Sequence, residues 1–61
     1  MLFTVHYTNF GYDAFPIFRS FLEAFAYGKS KGFDFTIHDE NYTTVGIWTV
    51  FGGLRDLREE G

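Results

Sequence analysis

Two histidines, His6 and His38, come closest to a reactive pair in this 61-residue chain. Each falls on the polar side of a segment in which apolar and polar residues alternate. On neighbouring strands the two imidazoles could share a metal ion, with Asp39 adding a carboxylate, or change charge at about pH 6.5. Two imidazoles are too few ligands for a firm site, so we expect exposed strand histidines and no bound metal.

The rest of the chain gives little support for catalysis. It lacks a nucleophile–base pair and a glycine-rich phosphate loop between a strand and a helix. Asp39 and Glu40 are adjacent in a predicted turn and would point apart, while Glu23 fits a helix cap. A single layer of this size also offers little concavity for a pocket. We therefore expect a protein that is not an enzyme and needs no cofactor.

Trp48 is the residue that most favours a binding role, because tryptophan is enriched at the centres of protein interfaces. Two interpretations stay open. Trp48 could point outward on the polar face, or a register shift of one residue could place it in the core. In the first case the expected partner-binding residues are Trp48, His6, His38, Thr36 and Tyr42.

Composition limits how such a short chain can be stabilised. A domain of this size buries only about 60% of its unfolded surface, and the chain has no cysteine to form a disulfide. Nine Phe, four Tyr and one Trp can supply a dense core, but they also leave apolar surface that a small core cannot hide. We therefore expect a partner protein or self-association.

Charge and hydropathy argue against two other classes of partner. The net charge of −3 disfavours a phosphate-binding surface for nucleic acid. No run approaches the roughly 20 apolar residues of a membrane span, and the first residues do not resemble a signal peptide. We expect a cytoplasmic protein with no membrane partner.

The elements follow from the residue pattern. Leu2 to Thr8 alternates like a half-buried strand, and Asn9-Phe10-Gly11 has turn chemistry. Helical spacing then allows a helix that starts either at Asp13 or at Ser20, where Ser20 and Glu23 form a capping-box pattern. The Ser20 start is favoured, and it makes Phe15 to Arg19 a short edge strand that tolerates Pro16.

The second half of the chain predicts two more strands. Phe33 to His38 alternates with its apolar side toward the helix, Asp39-Glu40-Asn41 is a turn in which Asn41 can adopt a left-handed conformation, and Thr43 to Phe51 is the last strand. Residues 54–61 are predicted to be a frayed charged tail. The sequence thus predicts one α+β domain, ββαββ or βαββ, with one helix on an antiparallel sheet.

Four segments together span much of the chain: Tyr7-Thr8-Asn9-Phe10-Gly11-Tyr12, Ser20-x-x-Glu23-Ala24, Ala26-Tyr27-Gly28-Lys29-Ser30-Lys31-Gly32-Phe33 and Gly46-x-Trp48-x-x-x-Gly52-Gly53-Leu54-Arg55. In these segments the chain resembles a group of small uncharacterised bacterial and phage proteins. The resemblance implies an intracellular protein that a phage could encode, with a strand before Ser20, and it carries no activity.

The segment from Lys31 to His38 is similar to the octapeptide of RNA-recognition-motif domains, whose aromatics stack on unpaired bases. Its Lys, Gly and first two Phe match, but Asp34, Thr36 and His38 do not. The helix also needs Phe33 and Phe35 as core, so base stacking is the minor interpretation. The sequence favours a protein-interaction module, such as a phage-encoded modulator of a host protein. The alternatives are a homo-oligomeric structural protein and a single-stranded nucleic-acid binder.

Overall fold

The computed structural model describes residues 1–7 and 16–58. The predicted turn Asn9-Phe10-Gly11, the alternative cap Asp13 and residue Phe15 lie outside this part of the chain. The elements are β1 (Phe3–Tyr7), β2 (Ile17–Phe18), α1 (Phe21–Ser30), β3 (Phe35–Asp39), β4 (Thr44–Thr49) and β5 (Gly53–Asp56). They form an antiparallel five-stranded sheet with one helix packed on it, which confirms the α+β class. None of the described helical residues belongs to a segment that is long and apolar enough to cross a membrane.

The sheet order β2-β1-β3-β4-β5 places the first strand between two strands that follow it in sequence. Both β2 and β3 run antiparallel to β1, so they are parallel to each other and α1 is the crossover between them. Val5 lies opposite Ile37 in the middle of the β1–β3 pair. This split β-α-β arrangement fixes the helix over β1, β2 and β3.

The helix begins where the favoured interpretation placed it. Ser20 is the N-cap, with extended backbone, and its hydroxyl accepts a hydrogen bond of 3.0 Å from the Glu23 N–H. Ile17–Phe18 forms the short edge strand expected before the cap, directly after Pro16. At the other end Lys31 is the C-cap, and Gly32 adopts a φ of 76°, as a residue after a helix often does.

The core forms where the helix meets the three strands beneath it. Phe3 packs edge-on against Phe21 with ring centroids 5.9 Å apart. Gly28 permits the helix to sit close to the sheet, because a Cβ at this position would lie 2.5 Å from the ring of Phe35. The hydroxyl of Tyr7 donates to the Gly28 carbonyl at 3.2 Å and fixes the same end of the helix. The buried core residues are Phe3, Val5, Phe21, Ala24, Phe35 and Ile37.

The C-terminal segment differs from the expected frayed tail. Gly53–Asp56 pairs with β4 as a fifth strand, and Leu57 continues this ladder by donating to the Val45 carbonyl at 2.9 Å. Arg58 then folds back, with its guanidinium 3.8 Å from the centroid of the Phe21 ring and 2.8 Å from an Asp56 carboxylate oxygen. The charge run was predicted to be a solvated tail, but the guanidinium of Arg58 lies against Phe21, a ring of the core. Residues 59–61 are outside the described range.

Two smaller predictions are also wrong. Strand β3 begins at Phe35, and Phe33, which was predicted to be core, lies before it with 44% of its surface exposed. In the β3–β4 turn the left-handed residue is Tyr42, with a φ of 62°, in place of Asn41. The Tyr42 N–H donates to the Asp39 carbonyl and the Asp39 N–H donates to Thr43, so the left-handed position falls on the third loop residue.

Candidate functional site

The register of β4 decides between the two interpretations of Trp48. Trp48 lies directly opposite Phe35, and Gly46 lies opposite Ile37, so all four residues share the helix side of the sheet. The Trp48 ring stacks on Phe35, with centroids 5.4 Å apart and planes inclined by 22°. The outward placement of Trp48 beside the histidines is therefore wrong, and the register shifted by one residue is correct. The register of the β3–β4 pairing shifts by one residue at a β-bulge between Ile37 and His38.

The other face of the sheet, which we call the open face, carries His6, Thr36 and His38. The imidazoles of His6 and His38 lie diagonally across β1 and β3, with ring centroids 4.2 Å apart. Each ring is within hydrogen-bonding distance of a threonine on its own strand: Nε2 of His6 is 3.0 Å from Thr4 Oγ1, and Nε2 of His38 is 2.9 Å from Thr36 Oγ1. The prediction that the two histidines share one face of neighbouring strands is confirmed, but both are half-buried where exposed side chains were expected.

Burial and the neighbouring imidazole favour the neutral form of His6. Partial desolvation is the larger cause and the charge of His38 is the smaller, and both lower the pKa of His6. Within residues 1–7 and 16–58, no group of three or more His, Cys, Asp or Glu side chains could hold a metal ion. The described part of this face thus carries two His–Thr pairs, and Ile17 and Ile47 lie on it directly opposite Thr4 and Thr36.

Tyr42 lies at the end of the open face, in the turn after β3. Its carbonyl oxygen is 3.4 Å from Nδ1 of His38, which connects the turn to the histidine pair. Its side chain is 77% exposed and lines a shallow groove of about 160 Å³ together with Leu2, Ile17 and Glu40. An exposed aromatic residue with positive φ is uncommon, because most side chains disfavour that backbone conformation.

On the helix side, the sheet extends beyond the helix. The helix packs on β1, β2 and β3, so Trp48 on β4 and its cross-strand neighbour Leu54 on β5 lie on the part of this face next to it. We call these two residues and the exposed apolar residues of the adjacent loops the apolar patch. The patch comprises the half-buried Trp48 and the exposed Phe33, Val50, Phe51 and Leu54.

Two hydrogen bonds hold the loops of the apolar patch. Asp34, next to Phe33, accepts a hydrogen bond of 2.9 Å from the Val50 N–H and so joins the α1–β3 loop to the β4–β5 turn. In that turn the Gly52 N–H donates to the Thr49 hydroxyl at 2.9 Å, and Gly53 adopts a φ of 75°. The turn leaves Phe51 as exposed as in an extended chain, at 103%. A fixed turn thus displays a large aromatic side chain to solvent.

The sequence interpretation missed four of the five patch residues. It included Trp48, assigned Phe33 to the core and Phe51 to the end of a strand, and gave Leu54 to the tail. One signal was available: two apolar residues, Val50 and Phe51, directly precede Gly52-Gly53. Connecting turns run over the protein surface, so large apolar side chains in a turn are often exposed to solvent.

Comparison of the chain with protein-family models, with curated proteins and with solved structures finds no match in any of the three. The open face and the apolar patch are the two candidate functional surfaces in the described part of the chain.

Proposed function

We propose that the protein is a small non-catalytic interaction module that docks on a larger protein through the apolar patch. The observation that carries this proposal is the full exposure of Phe51 on a hydrogen-bonded turn, which Asp34 joins to the loop that holds the exposed Phe33. Water-exposed clusters of large apolar side chains on small domains mark interaction sites. Burying one phenylalanine side chain in an interface contributes about 1.5–3 kcal/mol.

The charges near the patch favour a partner with an acidic rim. Lys29 and Lys31 end the helix just before Phe33, and their ammonium groups lie 5.7 Å and 5.6 Å from the ring centroids of Phe25 and Tyr27. Two cations therefore lie close to the start of the patch. A complementary acidic rim would speed association and orient the partner, and its contribution would weaken with salt.

The open face is a second candidate docking surface, and it contains the other expected partner-binding residues, His6, Thr36, His38 and Tyr42. What favours it is the positive φ of the exposed Tyr42, since backbone strain is often retained where a side chain has a function. Because this surface lies on the opposite side of the sheet from Trp48, single substitutions can separate the two.

The finer forms of the proposal have different support. The identification as a phage-encoded modulator of a bacterial host protein rests on the resemblance alone, and the cytoplasmic location rests on the hydropathy of the sequence. Binding of single-stranded nucleic acid would use Phe33, Phe35 and Trp48 to stack on bases, and Phe35 is not accessible for this because it is fully buried beneath the helix. The docking proposal needs only the exposed residues of the patch.

Affinity capture with matched variants tests the proposal. Immobilised wild type, Phe51→Asp and His38→Ser would be exposed to nuclease-treated lysates of uninfected and phage-infected bacteria. We expect a stoichiometric protein that is retained by wild type and His38→Ser and lost with Phe51→Asp. Loss of the captured protein with His38→Ser alone would show that the partner docks on the open face and not on the apolar patch. Equal capture by all three, or no stoichiometric protein, would overturn docking through either surface.

A further inference from the structure

The two edge strands of the described sheet, β2 and β5, differ in how readily a further strand could pair with them. At one edge β2 has only two residues and follows Pro16, which has no N–H to donate. At the other edge β5 has four residues, and it is the last strand in the described sheet. Short strands and proline protect an edge against strand addition, and β5 has neither protection.

The hydrogen bonds to β4 show which backbone groups of β5 point outward. Leu57 donates to the Val45 carbonyl, so the backbone N–H of Leu57 points toward β4. Backbone groups alternate along an antiparallel strand, so Arg55 also points its N–H and C=O toward β4. Leu54 and Asp56 then direct theirs to the outer edge. A strand added there would hydrogen-bond to these two residues.

We propose that this strand is β5 of a second copy of the chain, paired antiparallel about a two-fold axis at Leu54. A two-fold axis through an antiparallel pair places one residue opposite its own copy. An axis at Arg55 or at Asp56 would put two like charges directly opposite each other, which is destabilising. An axis at Leu54 instead pairs two leucines, and their outward N–H and C=O groups form two reciprocal hydrogen bonds.

This register also joins the apolar patches of the two copies. Trp48 lies directly opposite Leu54 within one copy, so the dimer has a continuous row of Trp48, Leu54, Leu54 and Trp48 along the helix side. Leu54 is 38% exposed in the single chain, and in the dimer the Leu54 side chain of the second copy would cover part of this exposed surface. The row stays open on the helix side, so the dimer is compatible with docking of a partner and does not depend on it.

Sedimentation velocity of the purified chain up to about 0.5 mM tests the pairing, since such a small interface gives weak affinity. We expect a monomer–dimer equilibrium for wild type and monomers for Leu54→Lys and Leu54→Glu measured separately. Mixing the two charged variants should restore the dimer, because the axis at Leu54 places Lys opposite Glu. Circular dichroism would confirm that each variant is folded, and Phe51→Ala, away from the strand edge, should dimerise like wild type.

Leu54→Pro supplies a second variant that acts on the backbone. The Leu54 N–H points away from β4, so proline removes an outer donor and no hydrogen bond to β4. We expect this variant to be a folded monomer. A wild type that stays monomeric throughout would overturn the proposal. So would dimers that survive Leu54→Lys and Leu54→Pro, or charged variants that remain monomeric after mixing.

Discussion

The imidazole rings of His6 and His38 lie diagonally across the central strand pair with their centroids 4.2 Å apart. Each ring is also within hydrogen-bonding distance of a threonine hydroxyl on its own strand. Protonating both rings would place two positive charges side by side at the middle of the sheet. The pair therefore couples pH to the stability of the fold.

We predict that the protein loses stability as the pH falls below about 6.5, the ordinary pKa of histidine. His6 has a lowered pKa in the folded state, so the unfolded chain binds protons more readily and its population rises as pH falls. The contribution is fully present above the unfolded-state pKa and is lost as pH falls through the folded-state pKa. Thermal unfolding of wild type and His6→Gln between pH 7.5 and 5 checks this. An equal pH dependence in both proteins would contradict it.

Gly28→Ala should destabilise the protein although alanine favours helices by about 1 kcal/mol over glycine. The added methyl group would lie 2.5 Å from the Phe35 ring and force the helix away from the sheet. Overpacking of this kind costs about 1–3 kcal/mol, measurable by urea unfolding. Gly32→Ala is the control: it has open space around it but a φ of 76°, so it reports backbone strain without a clash. Stabilisation by Gly28→Ala would show that the helix does not approach so closely.

Tyr42→Gly should stabilise the protein by about 1 kcal/mol, because glycine adopts positive φ without the steric cost that other residues incur. Tyr42→Ala keeps the backbone cost and removes the ring, so it separates the two contributions. If Tyr42→Gly is neutral or destabilising, ring contacts offset the strain. If it stabilises the fold and weakens partner capture, the strain serves binding at the open face.

Arg58→Ala should destabilise the protein by about 1 kcal/mol, as expected for a guanidinium close to a largely buried aromatic ring. Asp56 orients the guanidinium by accepting from its Nε and from one of its terminal nitrogens, at 3.1 Å and 2.8 Å. Arg58→Lys should recover little of the loss, because lysine lacks the planar group. Unfolding free energies of the two variants, with Asp56→Asn beside them, provide the measurement. No loss in Arg58→Ala would mean that the contact contributes nothing to the fold.

Several elements could be read from local chemistry alone. Ser20, Glu23 and Gly32 mark the helix ends through capping and positive φ, and the alternation around Val5 and Ile37 marks two strands with their buried sides. These signals depend on neighbours within a few residues, which the sequence shows directly.

The remaining features depend on distant pairing. Trp48 faces the helix because the register of β4 against β3 includes a bulge, and a change of one residue in that register exchanges the two faces. The charged segment after Gly53 becomes a strand only because β4 offers it an edge. The apolar patch depends on the β3–β4 register and on the β4–β5 pairing, so local sequence patterns could not predict which residues it contains.

The position of β1 between β2 and β3 has a consequence for how the chain reaches its native state. Val5 and Ile37 lie 32 positions apart in the sequence and must meet before the central strand pair exists. Such non-local contacts form only after a long loop has closed. The conformational entropy lost in closing the loop raises the barrier to folding and slows it. During synthesis β1 would leave the ribosome well before β3. Until β3 follows, the residues of β1 that pair with it in the native sheet have no hydrogen-bonding partners on that side.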